Sequence, residues 1–383
     1  MKLILTTLRR WHAELRRTYN IYVMLVALAI GILGGLCAVG FRELIRVLQL
    51  ASWWQSGELV DYIRLLPWWW KIGVPTIGGL LVGFIIHYFA REAKGHGVPE
   101  VMEAVVLRGG RIRPRIVIAK MIASAICIAT GGSVGREGPI VQIGSSLGST
   151  IGQWLKVDEQ RLRTLVGCGA AAGIAATFNA PVAGALFAVE IILGDFGVAQ
   201  FSPIVISSVS ATVVSQHFLG DFPAFNVPAY SLANPFELFG YAGLGILGGV
   251  IAVAFVKTLY RTEDVFDNIT LYPPLKTMIG GVLIGLTALA FPQVLGVGYE
   301  TINEALSGNM VLWLLIVLIV MKMLLVSITI GSGGSGGIFA PSLFIGAMTG
   351  GAVGVVLNNL WPGAVANPGA YSLVGMAAVV AAA

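Results

Sequence analysis

The chain has 383 residues, of which 56% are hydrophobic and only 11% are charged, and its mean hydropathy is +0.85. Soluble globular domains carry roughly 25% charged residues, so this composition excludes a soluble protein and predicts one largely surrounded by lipid. The net charge of +5 does not indicate nucleic-acid binding, because the basic residues are grouped in short segments beside apolar stretches.

The N-terminal segment 1–20 is basic and precedes the first long apolar stretch. Cytoplasmic loops of membrane proteins are enriched in Lys and Arg, so we expect a cytoplasmic N-terminus and a multi-pass protein of the cell inner (plasma) membrane. A cleaved signal peptide is not expected, because the following apolar stretch is too long for one and no small-residue cleavage site follows it. A second basic loop is predicted from Arg108, Arg111, Arg113, Arg115 and Lys120.

Long stretches of the chain contain no charged residue. About 20 apolar residues span a bilayer as a helix, so these stretches predict an all-α polytopic membrane protein. The last of them is long enough for more than one span. The charge-free stretches are Ile21–Phe41, Ile72–Ala90, Met121–Gly135, Thr164–Val189, Phe196–Gly220, Leu238–Val256, Thr277–Tyr299 and Met323–Ala383.

The chain contains an internal repeat. The segment GGSVGREGPIVQIGSSLG at 131–148 matches GGSGGIFAPSLFIGAMTG at 333–350 in eight of eighteen positions, at a constant offset of 202. Two weaker matches lie on either side in the same order: Gly95 and Gly97 correspond to Gly296 and Gly298, and LVG at 165–167 recurs at 373–375. Paired apolar segments interrupted by Gly and Pro are typical of inverted-repeat transporters.

The repeat predicts a domain organisation of two halves built from short, tilted and discontinuous helices. The first membrane repeat is assigned to 21–220, a linker to 221–234 and the second repeat to 235–383. Ala383 aligns with Ala175 inside an apolar segment of the first half, so the second repeat is expected to be incomplete. Sequence identity does not decide whether the repeats are inverted or parallel.

In each copy of the repeated segment, a proline follows a glycine cluster at the point where a new helix is expected. Proline is favoured in the first helical turn, so Pro139 and Pro341 predict two helices that begin within the membrane. The first N–H groups of a helix are unpaired and carry partial positive charge, which suits an anion. Packing against other helices is the alternative role of these glycines, and we expect it for Gly31, Gly35, Gly144 and Gly148.

Glu137 lies in the first of these motifs, whereas its counterpart in the second is Phe339. A carboxylate at a helix start that binds anions competes for that site, so we predict a gate that opens when Glu137 is protonated or displaced. The alternative is a helix N-terminal acid that only interacts with the helix dipole. Ionisable groups within the membrane are costly and indicate function.

These motifs resemble the CLC family of chloride channels and chloride/proton antiporters. GREGP at 135–139 is similar to its gating-glutamate motif, GGIFAP at 336–341 to its second helix-start motif, and GHGVPE at 95–100 to its GSGIPE motif. FNAPVAGALFAVE at 178–190 resembles the helix that follows, and the resemblance covers about residues 20 to 383.

The resemblance implies a homodimer with one pore per subunit, halves of inverted topology, and transport of chloride, with other halides or nitrate as further candidate ions. It implies that Glu137 is the gate and proton acceptor. It implies a transporter and not an enzyme, with no cofactor and with chloride, and in an antiporter protons, as the transported ions. His12, His87 and His217 share no ligand spacing, so no metal site is expected. The anion-binding residues that it implies are Gly95, His96, Gly97, Val98, Pro99, Gly135, Arg136, Gly138, Pro139, Gly337, Ile338, Phe339 and Ala340.

Three departures from the family pattern bear on coupling and selectivity. His96 stands where the family has a serine facing the anion. The internal proton-transfer glutamate of the antiporters corresponds to Ile191, beside Glu190, which favours a channel or another proton route. The family's pore tyrosine lies beyond Ala383, so neither Tyr299 nor Tyr371 is assigned that role.

Other functions remain as alternatives. An uncoupled channel for another anion such as fluoride is the nearest, although the proline of GREGP argues against the fluoride branch. An intramembrane serine protease using Ser133 or Ser335 with His87 would leave the doubled motif and Glu137 unexplained. A cation transporter would need carbonyl and carboxylate groups facing the ion, whereas the doubled helix starts present N–H groups. Lys322 interrupts an apolar stretch, and we expect its side chain to reach the cytoplasmic interface.

Overall fold

The computed structural model describes residues 19–55, 59–89, 94–363 and 365–383. The described residues form α-helices with one π-helical and one 3-10 segment, and no strand longer than an isolated bridge is present among them. The helices are α1 Tyr19–Trp53, α2 Leu59–Leu65, α3 Trp68–Phe89, α4 Val98–Leu107, α5 Arg115–Ala129, α6 Glu137–Trp154, α7 Glu159–Phe178, α8 Pro181–Phe187, α9 Val198–Leu219, α10 Glu237–Asn268, α11 Pro273–Ala288, α12 Tyr299–Ser307, α13 Leu312–Gly331, α14 Phe339–Leu360 and α15 Pro368–Ala382.

Five of these helices are long and apolar enough to cross a membrane: α1 from Ile21 onward, α3, α10, α13 and α14. Shorter apolar helices include Pro181–Leu193 and Pro368–Ala382. The charge-free stretch Met323–Ala383 holds the end of α13 followed by α14 and α15, which confirms that it contains more than one apolar helix. The all-helical architecture predicted from composition is therefore confirmed.

The chain forms two compact units. The described part of the first comprises residues 19–41, Val98–Ile118 and Ile140–Phe222. Its core is built from small and branched side chains of α6, α7 and α9, among them Val141, Ala170 and Ile204. Gly31 lies against the backbone of Ser207, and Gly144 and Gly148 lie against the carbonyl groups of α7. These contacts confirm the predicted packing role of those glycines.

The second unit comprises Arg42–Gly97, Ala119–Pro139 and Pro223–Ala383. Within it, α3 and α11 cross at close range, because Gly79 faces the carbonyl oxygen of Thr277 and Gly281 faces that of Pro75. Gly79 and Gly281 are 202 positions apart, and so are Pro75 and Thr277, so the two contacts are equivalent under the repeat offset. The crossing therefore has local two-fold symmetry.

Lys120 does not belong to the basic loop in which the sequence analysis placed it. The loop between α4 and α5 ends before Arg115, and Lys120 lies inside α5 with its side chain fully buried. Its Nζ donates a hydrogen bond to the carbonyl oxygen of Gly95 at 2.8 Å. That prediction was wrong because the pattern of basic residues does not show that a buried backbone carbonyl group lies within reach of Lys120.

The predicted cytoplasmic segment 1–20 lies outside the described residues except for its last two positions. No helix occurs in 221–234, the predicted linker. The compact units combine parts of both predicted halves, so the division into 21–220 and 235–383 stays a prediction from the repeat.

Candidate anion-binding site

Two helices begin within the second unit, immediately after the repeated glycine clusters. Helix α6 starts at Glu137 and α14 at Phe339, which places Pro139 and Pro341 in their first turns. Because a proline has no N–H to leave unpaired, it fits the first turn of a helix. The helix starts predicted from sequence are confirmed, and Ile338 directly precedes α14 as its N-cap.

The two clusters meet through Gly135 and Gly337. The N–H of each glycine donates to the carbonyl oxygen of the other, both at 2.7 Å, and the two segments run antiparallel. The two residues are 202 positions apart, so they are equivalent in the repeat. Reciprocal contacts between equivalent residues are what a two-fold axis produces, and inverted repeats are related by such an axis.

A third segment, Gly95–Gly97, joins this pair. The N–H of Gly95 donates to the carbonyl oxygen of Gly334 at 3.3 Å, and the N–H of Gly336 donates to that of Gly95 at 3.4 Å. Gly138 packs so closely against the carbonyl oxygen of His96 that no β-carbon fits between them. Helix α4 begins at Val98, directly after Gly97, with Pro99 as its second residue. Three of the predicted segments are thus brought together.

Each copy of the repeat contributes one buried lysine. Lys120 donates to the carbonyl oxygen of Gly95, and Lys322 donates to those of Val294 and Gly296 at 3.1 and 2.9 Å. Lys120 and Lys322 differ by the repeat offset of 202. The side chain of Lys322 is fully buried, so the prediction that it reaches the membrane interface was wrong. Two lysine side chains are therefore buried inside the unit that contains Glu137.

Glu137 is enclosed by polar and aromatic groups and is only 1% exposed. The hydroxyl of Tyr299 donates a hydrogen bond to its Oε1 at 2.5 Å, and the Nε of Arg136 lies 4.0 Å from the same oxygen. Oε2 has no hydrogen-bond partner among the described residues. One carboxylate oxygen is therefore held while the other is buried without a donor.

Sequence reasoning missed the contact between Tyr299 and Glu137. Tyr299 opens α12 directly after Gly296–Gly298, which is the repeat copy of Gly95–Gly97. Its place corresponds to Val98 in the first half at an offset of 201. The signal in the sequence is a tyrosine at a helix start where the first half has the apolar Val98. The sequence does not show that this tyrosine contacts the carboxylate of Glu137, whereas the fold does.

The remaining predicted site residues are also located. Ala340 follows the start of α14, and a β-carbon at Gly135 would lie 3.0 Å from that of Ala340. Glu190 and Ile191 belong to the first unit, where they lie in the π-helical segment Ala188–Leu193, and Ile191 is 41% exposed. π-helical turns are rare and frequently occur at functional sites.

The residues considered for an intramembrane serine protease make other contacts in the structure. Ser133 Oγ donates to the carbonyl oxygen of Val294 at 2.7 Å, and Ser335 Oγ lies 2.9 Å from that of Ser124. The ring of His87 packs against Tyr88 and Tyr272. A serine nucleophile needs a base within hydrogen-bond reach, and the hydroxyl of Ser133 is instead directed to a backbone carbonyl.

Known proteins are similar to this chain in sequence and in fold. The voltage gated chloride channel family matches residues 78–383. A ClcB-like protein of Ralstonia nicotianae is 35% identical over 94% of this chain and 85% of its own length, and the H(+)/Cl(-) exchange transporter ClcA of Vibrio vulnificus is 33% identical over 94% and 79%. The crystal structure of a slow cyanobacterial Cl-/H+ antiporter superposes with a TM-score of 0.82 at 25% identity, over 94% of this chain and 85% of that one.

The match extends over most of the chain and includes the segments that form the site. These segments contain the doubled helix-start motif, the buried glutamate and the reciprocal hydrogen bonds between Gly135 and Gly337. The chain therefore belongs to the voltage gated chloride channel family.

Proposed function

We propose that this protein moves chloride across the membrane through a pathway formed where the segments Gly95–Gly97, Gly135–Pro139 and Gly337–Phe339 of the second unit meet. The observation that carries the proposal is the meeting of two equivalent helix starts at the Gly135–Gly337 pair. Helix N-termini attract anions through unpaired N–H groups and the helix dipole. The ClcA and cyanobacterial relatives are named as chloride/proton exchangers, which supports chloride as the ion.

In this proposal Glu137 is the gate and the proton acceptor. Its carboxylate is buried at the first residue of α6, where an anion would otherwise meet the free N–H groups. An ionised carboxylate there competes with chloride through like charge, and protonation removes the competition. The backbone around His96, Gly138 and Phe339 contributes the anion site, together with the other residues named from the resemblance.

The proposal has two forms, which differ in whether chloride movement is coupled to protons: passive conduction and chloride/proton exchange. Ile191 cannot carry a proton, which favours passive conduction or a proton route that does not use that position. An exchanger is supported by the names of the ClcA and cyanobacterial relatives. A homodimer with one pathway per subunit is proposed from the family resemblance.

Substitution of Glu137 by Gln tests the gate in liposomes loaded with chloride and monitored with a chloride electrode. We expect chloride efflux to be kept or increased, because glutamine is neutral and similar in shape. Glu103→Gln serves as the control, because Glu103 is an exposed carboxylate paired with Arg108. A cation carrier would instead lose transport when the carboxylate is neutralised, and that result would reject an anion pathway.

A pathway for another anion such as fluoride is the second candidate. The observation behind it is His96, whose imidazole is bulkier than the family's serine and is buried beside Gly138. Competition of fluoride, nitrate and bromide against chloride efflux distinguishes the two candidates. Chloride should be carried at least as fast as fluoride if the main proposal holds.

A further inference from the structure

We propose that Tyr299 is a positioning residue that latches the Glu137 gate through its hydroxyl. The inference rests on the proposed role of Glu137 as a gate and names the group that sets when this gate is released. Tyr299 and Glu137 are 162 residues apart in sequence, yet the hydroxyl lies 2.5 Å from Oε1. Hydrogen bonds from a hydroxyl to an ionised carboxylate are typically 2.5–2.7 Å long and about twice as strong as neutral ones.

The ring of Tyr299 is fixed from two sides. The ring of Phe225 meets it edge-on with centroids 5.0 Å apart, and the guanidinium of Arg136 lies 5.1 Å from its centroid. Edge-to-face aromatic pairs and cation–π contacts are both attractive, so they hold a ring in one orientation. The hydroxyl is therefore aimed at the carboxylate by contacts that do not involve the hydroxyl itself.

The backbone that carries Tyr299 is also anchored. Gly298 precedes it with φ of +88°, a conformation that residues with a β-carbon rarely adopt. Lys322 holds the carbonyl groups of Val294 and Gly296, and Ser133 holds that of Val294 a second time. The loop before α12 is thereby tied to α13 and to the segment preceding α6. A fixed loop and a fixed ring place one hydroxyl against one gate oxygen.

The latch links gate release to protonation. A hydroxyl that donates to a carboxylate favours its ionised form, so Tyr299 holds Glu137 in place while it is charged. A proton on Glu137 weakens that bond and frees the side chain. The other ionisable groups near this pair are Arg136, whose Nε lies 4.0 Å from Oε1, the buried Lys322, and Arg42.

The test measures chloride efflux from liposomes for Tyr299→Phe and for the unchanged protein, at on the order of eight pH values between pH 4 and pH 8. Phenylalanine keeps the ring and removes only the donor. We expect faster efflux at neutral pH and a pH dependence displaced to higher pH by about one unit, because the variant loses a hydrogen bond that favours the charged carboxylate. Tyr230→Phe is the control, because it removes a hydroxyl that donates to the Leu306 carbonyl instead.

A Glu137→Gln background separates the latch from the gate. Tyr299→Phe should add nothing to Glu137→Gln, because the group that it releases is already neutral. If Glu137→Gln alone left efflux and its pH dependence unchanged, the proposed gate would be wrong. If Glu137→Gln changed transport but Tyr299→Phe alone matched the unchanged protein, or had an equal effect in both backgrounds, the latch would be rejected and the gate kept.

A second variant guards against loss of folding in Tyr299→Phe. Replacing Tyr299 by 3-fluorotyrosine keeps its size and makes the hydroxyl a stronger donor. The pH dependence of efflux should then move in the opposite direction, to lower pH. A displacement to higher pH, or none, would overturn the latch.

Discussion

At the scale of single residues, the site depends on the absence of side chains as much as on their presence. Gly138 touches the carbonyl oxygen of His96 and lies near Gly337, so three chain segments approach without any β-carbon between them. Backbone N–H groups can approach an anion only where side chains do not shield them. Glu137 is the one carboxylate among these glycine clusters.

Gly138→Ala tests this close approach. The added β-carbon would collide with the His96 carbonyl and lie 2.9 Å from the Gly337 Cα, and overpacking of this kind costs about 1–3 kcal/mol. We expect a lower unfolding temperature in detergent and a loss of chloride efflux. Gly73→Ala is the control, because nothing lies within 4 Å of a β-carbon at Gly73. Equal effects of the two substitutions would contradict the packing described for Gly138.

The residues around Glu137 could be predicted only in part. Glu137 was identified because one copy of a doubled motif contains an acid and the other contains Phe339. Tyr299 was not identified, because its partner is 162 residues away and no local pattern connects them. Lys322 was assigned to the membrane interface because a long stem can reach water, whereas the fold supplies two carbonyl acceptors inside the protein.

At the scale of helices, the second unit is organised around local two-fold contacts. Helices α3 and α11 cross through Gly79 and Gly281, and the segments before α6 and α14 pair through Gly135 and Gly337. The buried lysines of α5 and α13 repeat the same relation. Membrane helices lack a hydrophobic force between them and pack closely through small residues, which explains why glycine is frequent at these crossings.

Gly281→Ala tests the crossing of α3 and α11. Its β-carbon would collide with the carbonyl oxygen of Pro75 and lie 2.9 Å from the Cα of Thr76. We expect destabilisation by about 1–3 kcal/mol, read as a lower midpoint of thermal unfolding in detergent. Gly249→Ala in α10 should leave the midpoint within experimental error, because no atom lies within 4 Å of its β-carbon. A midpoint for Gly281→Ala equal to that of Gly249→Ala would show that the helices do not pack as described.

Helix starts were predictable from sequence, whereas their partners were not. A proline after a glycine cluster marks the first turn of α6 and of α14 through local backbone chemistry alone. The pairing of Gly135 with Gly337 depends on how the whole chain folds, and the repeat only made it plausible. The basic loop after α4 was extended to Lys120 because its charge resembled that of its neighbours, although Lys120 is buried within α5.

At the scale of the whole molecule, composition decided the architecture. A chain that is 11% charged has too few polar residues to face water, and its helices α1, α3, α10, α13 and α14 are long and apolar enough to span a bilayer. The compact units, however, do not follow the repeat, because the second unit contains Ala119–Pro139 together with Pro223–Ala383. Sequence similarity shows which segments are equivalent but not which segments pack together.

The measurement that tests the account most directly places the protein in liposomes with a chloride gradient and follows external pH and chloride together. Chloride should move down its gradient, and Glu137→Gln should keep or increase that flux. Protons driven uphill by chloride, and stopped by Glu137→Gln, would identify an exchanger that works without a proton carrier at Ile191, whereas chloride flux alone would identify a channel. The absence of chloride flux, or a Glu137→Gln variant that behaves as the unchanged protein in both signals, would contradict a chloride pathway gated by Glu137.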